Sequence, residues 1–119
     1  MSGRLQGALL DRVVEYGSRV LALAQTLEQV KRPRRIIDQI TGSGTSPGAH
    51  LFEANEAISR AEFIKLVSGA AKELSETLYW LRIIRERGWV AAERLSGLMQ
   101  ETDELLSIVK VVIARSRRP

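Results

Sequence analysis

Cysteine is absent from this sequence of 119 residues, and only one histidine is present. The absence of cysteine excludes disulfide bonds and thiolate chemistry, and it is consistent with a reducing compartment. Zinc sites built on cysteine are excluded as well. A di-iron bundle needs carboxylates together with Glu-x-x-His pairs on facing helices, and the single histidine, His50, stands in no such motif. The sequence therefore predicts no native metal site and no cofactor.

Long apolar runs are also missing. No segment approaches the roughly 18 uncharged apolar residues that a membrane span needs. Residues 1–30 contain no basic stretch followed by a compact apolar run, so we predict no signal peptide. We therefore expect a soluble, cytoplasmic protein that does not contact membranes and that folds as a single domain over residues 1–119.

Acidic residues are fewer than basic ones, 14 against 18, so the net charge is +4. The basic residues form three clusters. The first is Lys31, Arg32, Arg34 and Arg35, the second is Arg82, Arg85 and Arg87, and the third is Arg115, Arg117 and Arg118. Clustered basic side chains attract polyanions such as nucleic acids. Arginines also collect at helix ends, where they suit the helix dipole and water, so charge alone leaves both interpretations open.

Four segments carry apolar residues at spacings of three and four. This pattern predicts helices at about 5–30, 33–57, 60–87 and 90–115. In the first segment the pattern includes Val14 and Leu21. Ser59-Arg60-Ala61-Glu62 fits a capping box that begins the third helix, and Gly88 is a natural stop after that helix. No stretch shows the alternation bounded by turns that predicts a strand.

The stretch GSGTSPG at residues 42–48 leaves two structures open. Apolar and small residues keep the helical spacing through it. Each glycine, however, costs about 1 kcal/mol relative to alanine inside a helix, and a proline costs about 3 kcal/mol. The pattern alone leaves a loop and a helix nearly equal. A phosphate-binding loop is disfavoured, because the Walker pattern requires a lysine and none follows Gly48.

The segment GSGTSPGAHLFEANEAISRAEFIKLVSGAAKELSETLYWLRII, residues 42–84, resembles the central motif of the 23S rRNA intervening-sequence proteins, also called S23-like four-helix-bundle proteins. That motif joins a small-residue run, an acidic residue, a Ser-x-x-Glu-Phe helix start and a Glu-x-x-Glu turn. The matching residues here are Gly44, Ser46, Pro47, Glu53, Ser59, Phe63, Glu73 and Glu76. His50 stands where the family has asparagine, and it adds a titratable group to the motif.

The resemblance implies an all-α, antiparallel, up-down four-helix bundle. Its small-residue run would lie within the second helix, which we expect to be kinked near Pro47. Within that run, Ser43, Thr45 and Ser46 are positioned to hydrogen-bond carbonyls one turn back. The same fold occurs in the accessory variability determinant proteins of diversity-generating retroelements. Those resemble barrel-shaped homopentamers with basic surfaces that work with a reverse transcriptase and nucleic acid.

These expectations together describe a protein that is not an enzyme. We expect a homo-oligomer, pentameric by resemblance, whose basic surface binds RNA or DNA with low sequence specificity. The candidate nucleic-acid-binding residues are Lys31, Arg32, Arg34, Arg35, Arg82, Arg85 and Arg87. The alternative is a protein–protein adaptor, for instance for a reverse transcriptase, that does not bind nucleic acid directly.

Two further groups of residues have two interpretations each. His50, Glu53 and Glu76 either form a buried polar network between the second and third helices or lie on an ordinary solvated surface. Tyr79, Trp80 and Trp89 either pack in the core and at the helix end or contribute to a subunit interface, where tryptophan and tyrosine are enriched.

Overall fold

The computed structural model describes residues 5–119, which form four helices without a strand in that range. They are α1 (Gly7–Gln29), α2 (Arg34–Ala54), α3 (Arg60–Glu86) and α4 (Ala92–Ser116). Each bound lies within three residues of the predicted one. The first four residues of the range 1–119 predicted for the domain lie outside the described residues. The predicted all-α four-helix bundle is confirmed.

The core lies along the bundle axis and receives one apolar stripe from each helix. Consecutive helices pack side by side, and α1 and α4 close the bundle along a less extensive seam. Fully burying one large apolar side chain is worth roughly 1.5–3 kcal/mol, so these stripes are the main source of stability. The largest fully buried side chains are Tyr16, Leu27, Ile40, Leu51, Phe63, Leu74, Leu81, Ile84, Leu95 and Leu105.

The predicted capping box begins α3. The Glu62 N–H donates to Ser59 Oγ at 3.1 Å. The Glu62 carboxylate turns back and accepts the N–H of Ile58, one residue before the N-cap, also at 3.1 Å. Two N–H groups that have no partner within the helix are thereby satisfied, which fixes where α3 starts.

Helices α1 and α3 both end in a left-handed turn. Gly88 has φ of 67°, and Lys31 has φ of 56° at the equivalent position after α1. The N–H groups of Gly88 and Trp89 donate to carbonyls in the last turn of α3 at 3.0 and 3.2 Å. Those of Lys31 and Arg32 donate to the last turn of α1, both at 3.0 Å. Glycine is the usual residue in this turn, so Gly88 fits the predicted stop and Lys31 occupies a position that favours glycine.

Helix α2 runs without interruption through residues 42–48, so the loop alternative for this stretch is wrong. Gly44 is buried and allows α1 to approach closely, because a Cβ there would lie 2.4 Å from Cγ1 of Val20. Pro47 is buried within the same helix. The bend expected near Pro47 stays a prediction.

Hydroxyl groups in this stretch make two kinds of hydrogen bond. Thr45 Oγ1 donates to the carbonyl of Thr41, one turn back, at 2.7 Å, as predicted. Ser43 behaves differently, because its buried Oγ and Thr77 Oγ1 of α3 form a hydrogen bond of 2.9 Å. Ser43 therefore links α2 to α3 instead of bonding within its own helix.

Candidate nucleic-acid interface

The first two basic clusters lie at the same end of the bundle. They flank the α1–α2 and α3–α4 connections, which an up-down bundle places together. One contact joins the two connections, and a second joins α4 to α1 beside them. The guanidinium carbon of Arg32 lies 5.5 Å from the centroid of the Trp89 ring, and Arg94 Nη2 donates to Thr26 Oγ1 at 3.3 Å. We call residues 28–38 and 82–94 the basic end.

The basic end carries eight basic and four acidic side chains. Arg34 contacts the Glu28 carboxylate and lies 3.4 Å from that of Asp38. These acids raise the pKa of Arg34, Glu28 more strongly than Asp38. Two of the four acidic side chains are thus paired with the same arginine. The basic residues are Lys31, Arg32, Arg34, Arg35, Arg82, Arg85, Arg87 and Arg94, and the acids are Glu28, Asp38, Glu86 and Glu93.

Two other arginines of the basic end are directed toward the protein. Arg32 stacks on Trp89, and its buried Nε has no hydrogen-bond partner among the described residues. Arg85 Nη1 lies 3.9 Å from the sulfur of Met99. The remaining candidates are exposed, and none forms an ion pair within residues 5–119; they are Lys31, Arg35, Arg82 and Arg87. These four side chains are therefore accessible to a polyanion.

The third cluster lies at the opposite end of the bundle. Arg115, Arg117 and Arg118 end the chain beside the start of α3, where Arg60 Nη1 donates to the Arg118 carbonyl at 3.2 Å. Because consecutive helices reverse direction, this end is separated from the basic end by the length of the bundle. The molecule therefore has two distinct basic regions.

Four of the family-motif residues lie in the core or at the start of a helix. Gly44, Pro47 and Phe63 are buried, and Ser59 is the N-cap of α3. Ser46, Glu73 and Glu76 are half-buried, and Glu53 is exposed.

His50 lies at the contact between α2 and α3. Its ring atoms are 3.3 to 3.4 Å from the point that a Cβ on Gly69 would occupy. Nδ1 of His50 is buried and has no hydrogen-bond partner among the described residues. The Glu76 carboxylate accepts instead from Trp80 Nε1 at 3.0 Å. Of the two interpretations given above, the structure does not support the buried polar network, because within residues 5–119 no hydrogen bond joins His50, Glu53 and Glu76 and Glu53 is exposed.

The three aromatic candidates differ in exposure. Trp80 and Trp89 are half-buried against the core, whereas Tyr79 is 56% exposed. Tyr79 and Trp80 pack edge to face with ring centroids 4.9 Å apart. Packing explains the two tryptophans, and Tyr79 is the one that a partner can contact. Their place in a subunit interface stays a prediction.

Helices α1 and α2 form an exposed apolar face that was not predicted from the sequence. Val14 is 58% exposed, Leu21 45% and Phe52 48%, and they line one shallow groove with the small residues Gly17 and Ala49. Val14 and Leu21 belong to the apolar pattern that predicts α1, but they are exposed and do not face the core. Their spacing of seven residues was the available signal, since it places both on one side of the helix.

Polar contacts across the seam between α1 and α4 were also missed. Arg12 binds both oxygens of Glu101 at 2.7 Å and one oxygen of Glu104 at 2.9 Å. The hydrogen bond from Arg12 is the main reason that the pKa of Glu101 lies below its ordinary value. The hydroxyls of Tyr16 and Thr102 form a buried hydrogen bond of 2.8 Å. Burial raises the pKa of Tyr16. Residues so far apart in the sequence carry no local signal of such pairing.

Two kinds of site are not found in the described part of the chain. Residues 5–119 contain no group of three or more histidine and carboxylate side chains that is suited to hold a metal ion. Among the same residues no helix combines the length and the apolar character needed to cross a bilayer.

Comparisons with known proteins agree with the resemblance noted in the sequence. A crystal structure of a protein of unknown function from the S23 ribosomal protein family of Bacteroides thetaiotaomicron superposes with a TM-score of 0.85 at 30% identity, over 88% of this chain and 97% of that chain. Among proteins with curated descriptions, none matches significantly. Neither the matching family nor the structural neighbour is described as an enzyme. The family model for 23S rRNA-intervening sequence proteins matches residues 9–111, and the chain therefore belongs to that family.

Proposed function

We propose that the protein is a non-catalytic homo-oligomer whose basic end binds RNA or DNA with low sequence specificity. The observation that supports this most directly is the position of two basic clusters, distant in sequence, at one end of the bundle. Exposed lysine and arginine side chains on an open surface contact phosphates and carry little sequence information. Binding by such contacts weakens steeply as the salt concentration rises.

The conformation of Lys31 gives independent support. A residue with a Cβ in the left-handed region costs roughly 1–2 kcal/mol relative to its ordinary conformation, and glycine avoids that cost. Lys31 holds φ of 56° and is exposed at the start of the first basic cluster. Strained backbone is frequently retained where a side chain is needed for function. We infer that lysine is kept at this position for its charge.

Self-association is supported by the exposed apolar face of α1 and α2. Val14, Leu21 and Phe52 are each 45–58% exposed and adjoin one groove. Exposed apolar patches of this kind mark interaction sites. By resemblance to the retroelement accessory proteins we propose five subunits. Such an assembly would repeat the basic end around a ring and strengthen its positive electrostatic potential.

The test measures solution mass by light scattering and binding of short labelled RNA and DNA duplexes by fluorescence anisotropy. We expect a mass near five subunits and an affinity for both duplexes that falls with salt. The slope of log K against log salt should be about −0.9 for each phosphate neutralised on DNA.

The informative variants are Lys31→Gly and the double change Arg35→Gln/Arg87→Gln, with Arg117→Gln at the other end as the matched control. Lys31→Gly should raise the melting temperature while it weakens duplex binding, so misfolding cannot explain the loss. Equal binding by the double variant and the parent chain would contradict the proposal, as would an equal loss in the Arg117 control. An oligomer that binds neither duplex would favour the protein adaptor instead.

A further inference from the structure

A groove opens between the start of α1 and the end of α4, at the bundle end away from the basic end. Its volume is about 550 Å³, within the range of small-molecule sites. We call it the apolar groove, because aliphatic side chains form most of its wall. Val111 on this wall is 48% exposed, so part of the apolar surface is open to solvent. The aliphatic lining residues are Leu5, Ala8, Leu9, Ile108, Val111 and Val112.

A second cavity of about 340 Å³ adjoins the apolar groove and shares Val112 and Arg115 with it. Arg60 and Arg118 also line this space, so we call it the arginine cavity. Arg60 donates to the Arg118 carbonyl at 3.2 Å, which holds the chain end beside α3. None of the three guanidinium groups forms an ion pair within residues 5–119. An unpaired cluster of this kind suits one negatively charged group.

Charge differs between the two ends of the apolar groove. At its far end Arg12 already binds the carboxylates of Glu101 and Glu104, at 2.7 and 2.9 Å. Arg12 is thus already paired with two carboxylates, and Arg19 also acts on Glu101. An anion therefore finds no unpaired cation at that end and is attracted to Arg115, which fixes the direction in which an amphiphilic molecule would lie.

We propose that the apolar groove and the arginine cavity together bind a single-chain anionic amphiphile, of the class of a medium-chain fatty acid. Its carboxylate lies among the three arginines and its alkyl chain lies between α1 and α4. The helical rise of 1.5 Å per residue gives the groove a length of about 12 Å from Ser107 to Arg115. This site is separate from the basic end and does not depend on nucleic-acid binding.

The site is tested by isothermal titration calorimetry below the critical micelle concentration. The probes are laurate, the shorter caprylate, the cation dodecyltrimethylammonium and inorganic phosphate. Laurate should bind, and caprylate should bind at least tenfold more weakly, since each buried methylene changes affinity by about fourfold. The cation and inorganic phosphate should not bind measurably. The cation lacks a negative head group for the arginines, and inorganic phosphate lacks an alkyl chain for the groove.

Two variants locate the site, and circular dichroism confirms that each remains helical. Arg115→Gln removes the shared arginine and should weaken laurate binding by about tenfold. Val111→Asp places a negative charge on the exposed part of the groove and should weaken it at least as much. Arg87→Gln, an exposed arginine of the basic end, is the matched control and should leave binding unchanged.

Four results would overturn the proposal. Equal binding of the cationic probe would show that the head group is not recognised. Binding of inorganic phosphate as tightly as laurate would show an anion site without a place for the alkyl chain. Normal laurate binding by Arg115→Gln would place the ligand elsewhere. No laurate binding at all would show that the groove is closed or is filled by a second copy of the chain.

Discussion

Replacing Gly44 by alanine should destabilise the protein, whereas the same change at Gly42, two residues earlier in α2, should stabilise it. A Cβ on Gly44 would lie 2.4, 2.8 and 2.9 Å from three side-chain atoms of Val20 on α1. Val20 is 0% exposed and has no room to move aside, so the two helices would have to separate. A Cβ on Gly42 would meet nothing within 4 Å, and Gly42 is exposed.

Both substitutions improve helix propensity, but only one of them overpacks the core. Each removes a glycine from a helix interior, which contributes about 1 kcal/mol of stability. Only the change at Gly44 overpacks the core, at a cost of about 1–3 kcal/mol or more. All three contacts with Val20 are shorter than 3.0 Å, so we take the upper part of that range. The net result is a loss of about 2 kcal/mol for Gly44→Ala and a gain of about 1 kcal/mol for Gly42→Ala.

Urea and thermal unfolding of the two variants measure this difference. For a chain of this size, 1 kcal/mol corresponds to about 4 °C, so the melting temperatures should differ by about 12 °C. Val20→Ala removes both Cγ atoms, and in that background Gly44→Ala should cost less than in the parent chain. If the two glycine variants shift the free energy of unfolding by the same amount and sign, the close approach of α1 and α2 at Gly44 is refuted.

Three further predictions concern helix capping and pH. Ser59→Ala should lower the free energy of unfolding by about 1 kcal/mol in a urea titration, because it removes the N-cap of α3. The pKa of Glu101 is lowered, first by its hydrogen bond from Arg12, so its stabilisation is present above the ordinary pKa of 4.5 and is lost as the pH falls through the lower folded value. The urea midpoint should therefore drop in acid, and Glu101→Gln should make that drop smaller. Burial raises the pKa of Tyr16, so its contribution is present below the ordinary pKa of 10.0 and is lost as the pH rises through the higher folded value. Tyr16→Phe should reduce this alkaline loss in the same titration and cost about 1 kcal/mol at neutral pH, through the hydrogen bond to Thr102.

The helices themselves were predictable, because apolar spacing and end signals agree along most of the chain. The capping box at Ser59 and the stop at Gly88 place the bounds of α3 within one residue. Spacing does not tell which apolar residues a neighbouring helix covers. Val14 and Leu21 continue the stripe of α1 but are exposed, since no other helix within residues 5–119 covers that side.

The candidate interface was predictable in its residues but not in its arrangement. The clusters around Arg35 and Arg87 are visible in the sequence, and the up-down topology brings them together. The pairing of Arg34 with Asp38 follows from helical spacing. The conformation of Lys31 could not be predicted, because the local preference at that turn favours glycine and the lysine acts against it.

The proposed assembly and the proposed nucleic-acid binding depend on each other physically. The bundle measures 48 Å along its longest axis and about 20 Å across, and the exposed face of α1 and α2 runs along its side. A ring closed through such side faces keeps all subunits pointing the same way, so every basic end falls on one rim. When several basic ends are held in one assembly, a duplex bound to one of them meets its neighbours at a high effective concentration, so binding is tighter without any new kind of contact. A chain held as a monomer should therefore bind a duplex more weakly than the assembled protein, although its basic residues are unchanged. If monomer and assembly bind equally well, the basic end acts alone and the ring contributes nothing to binding.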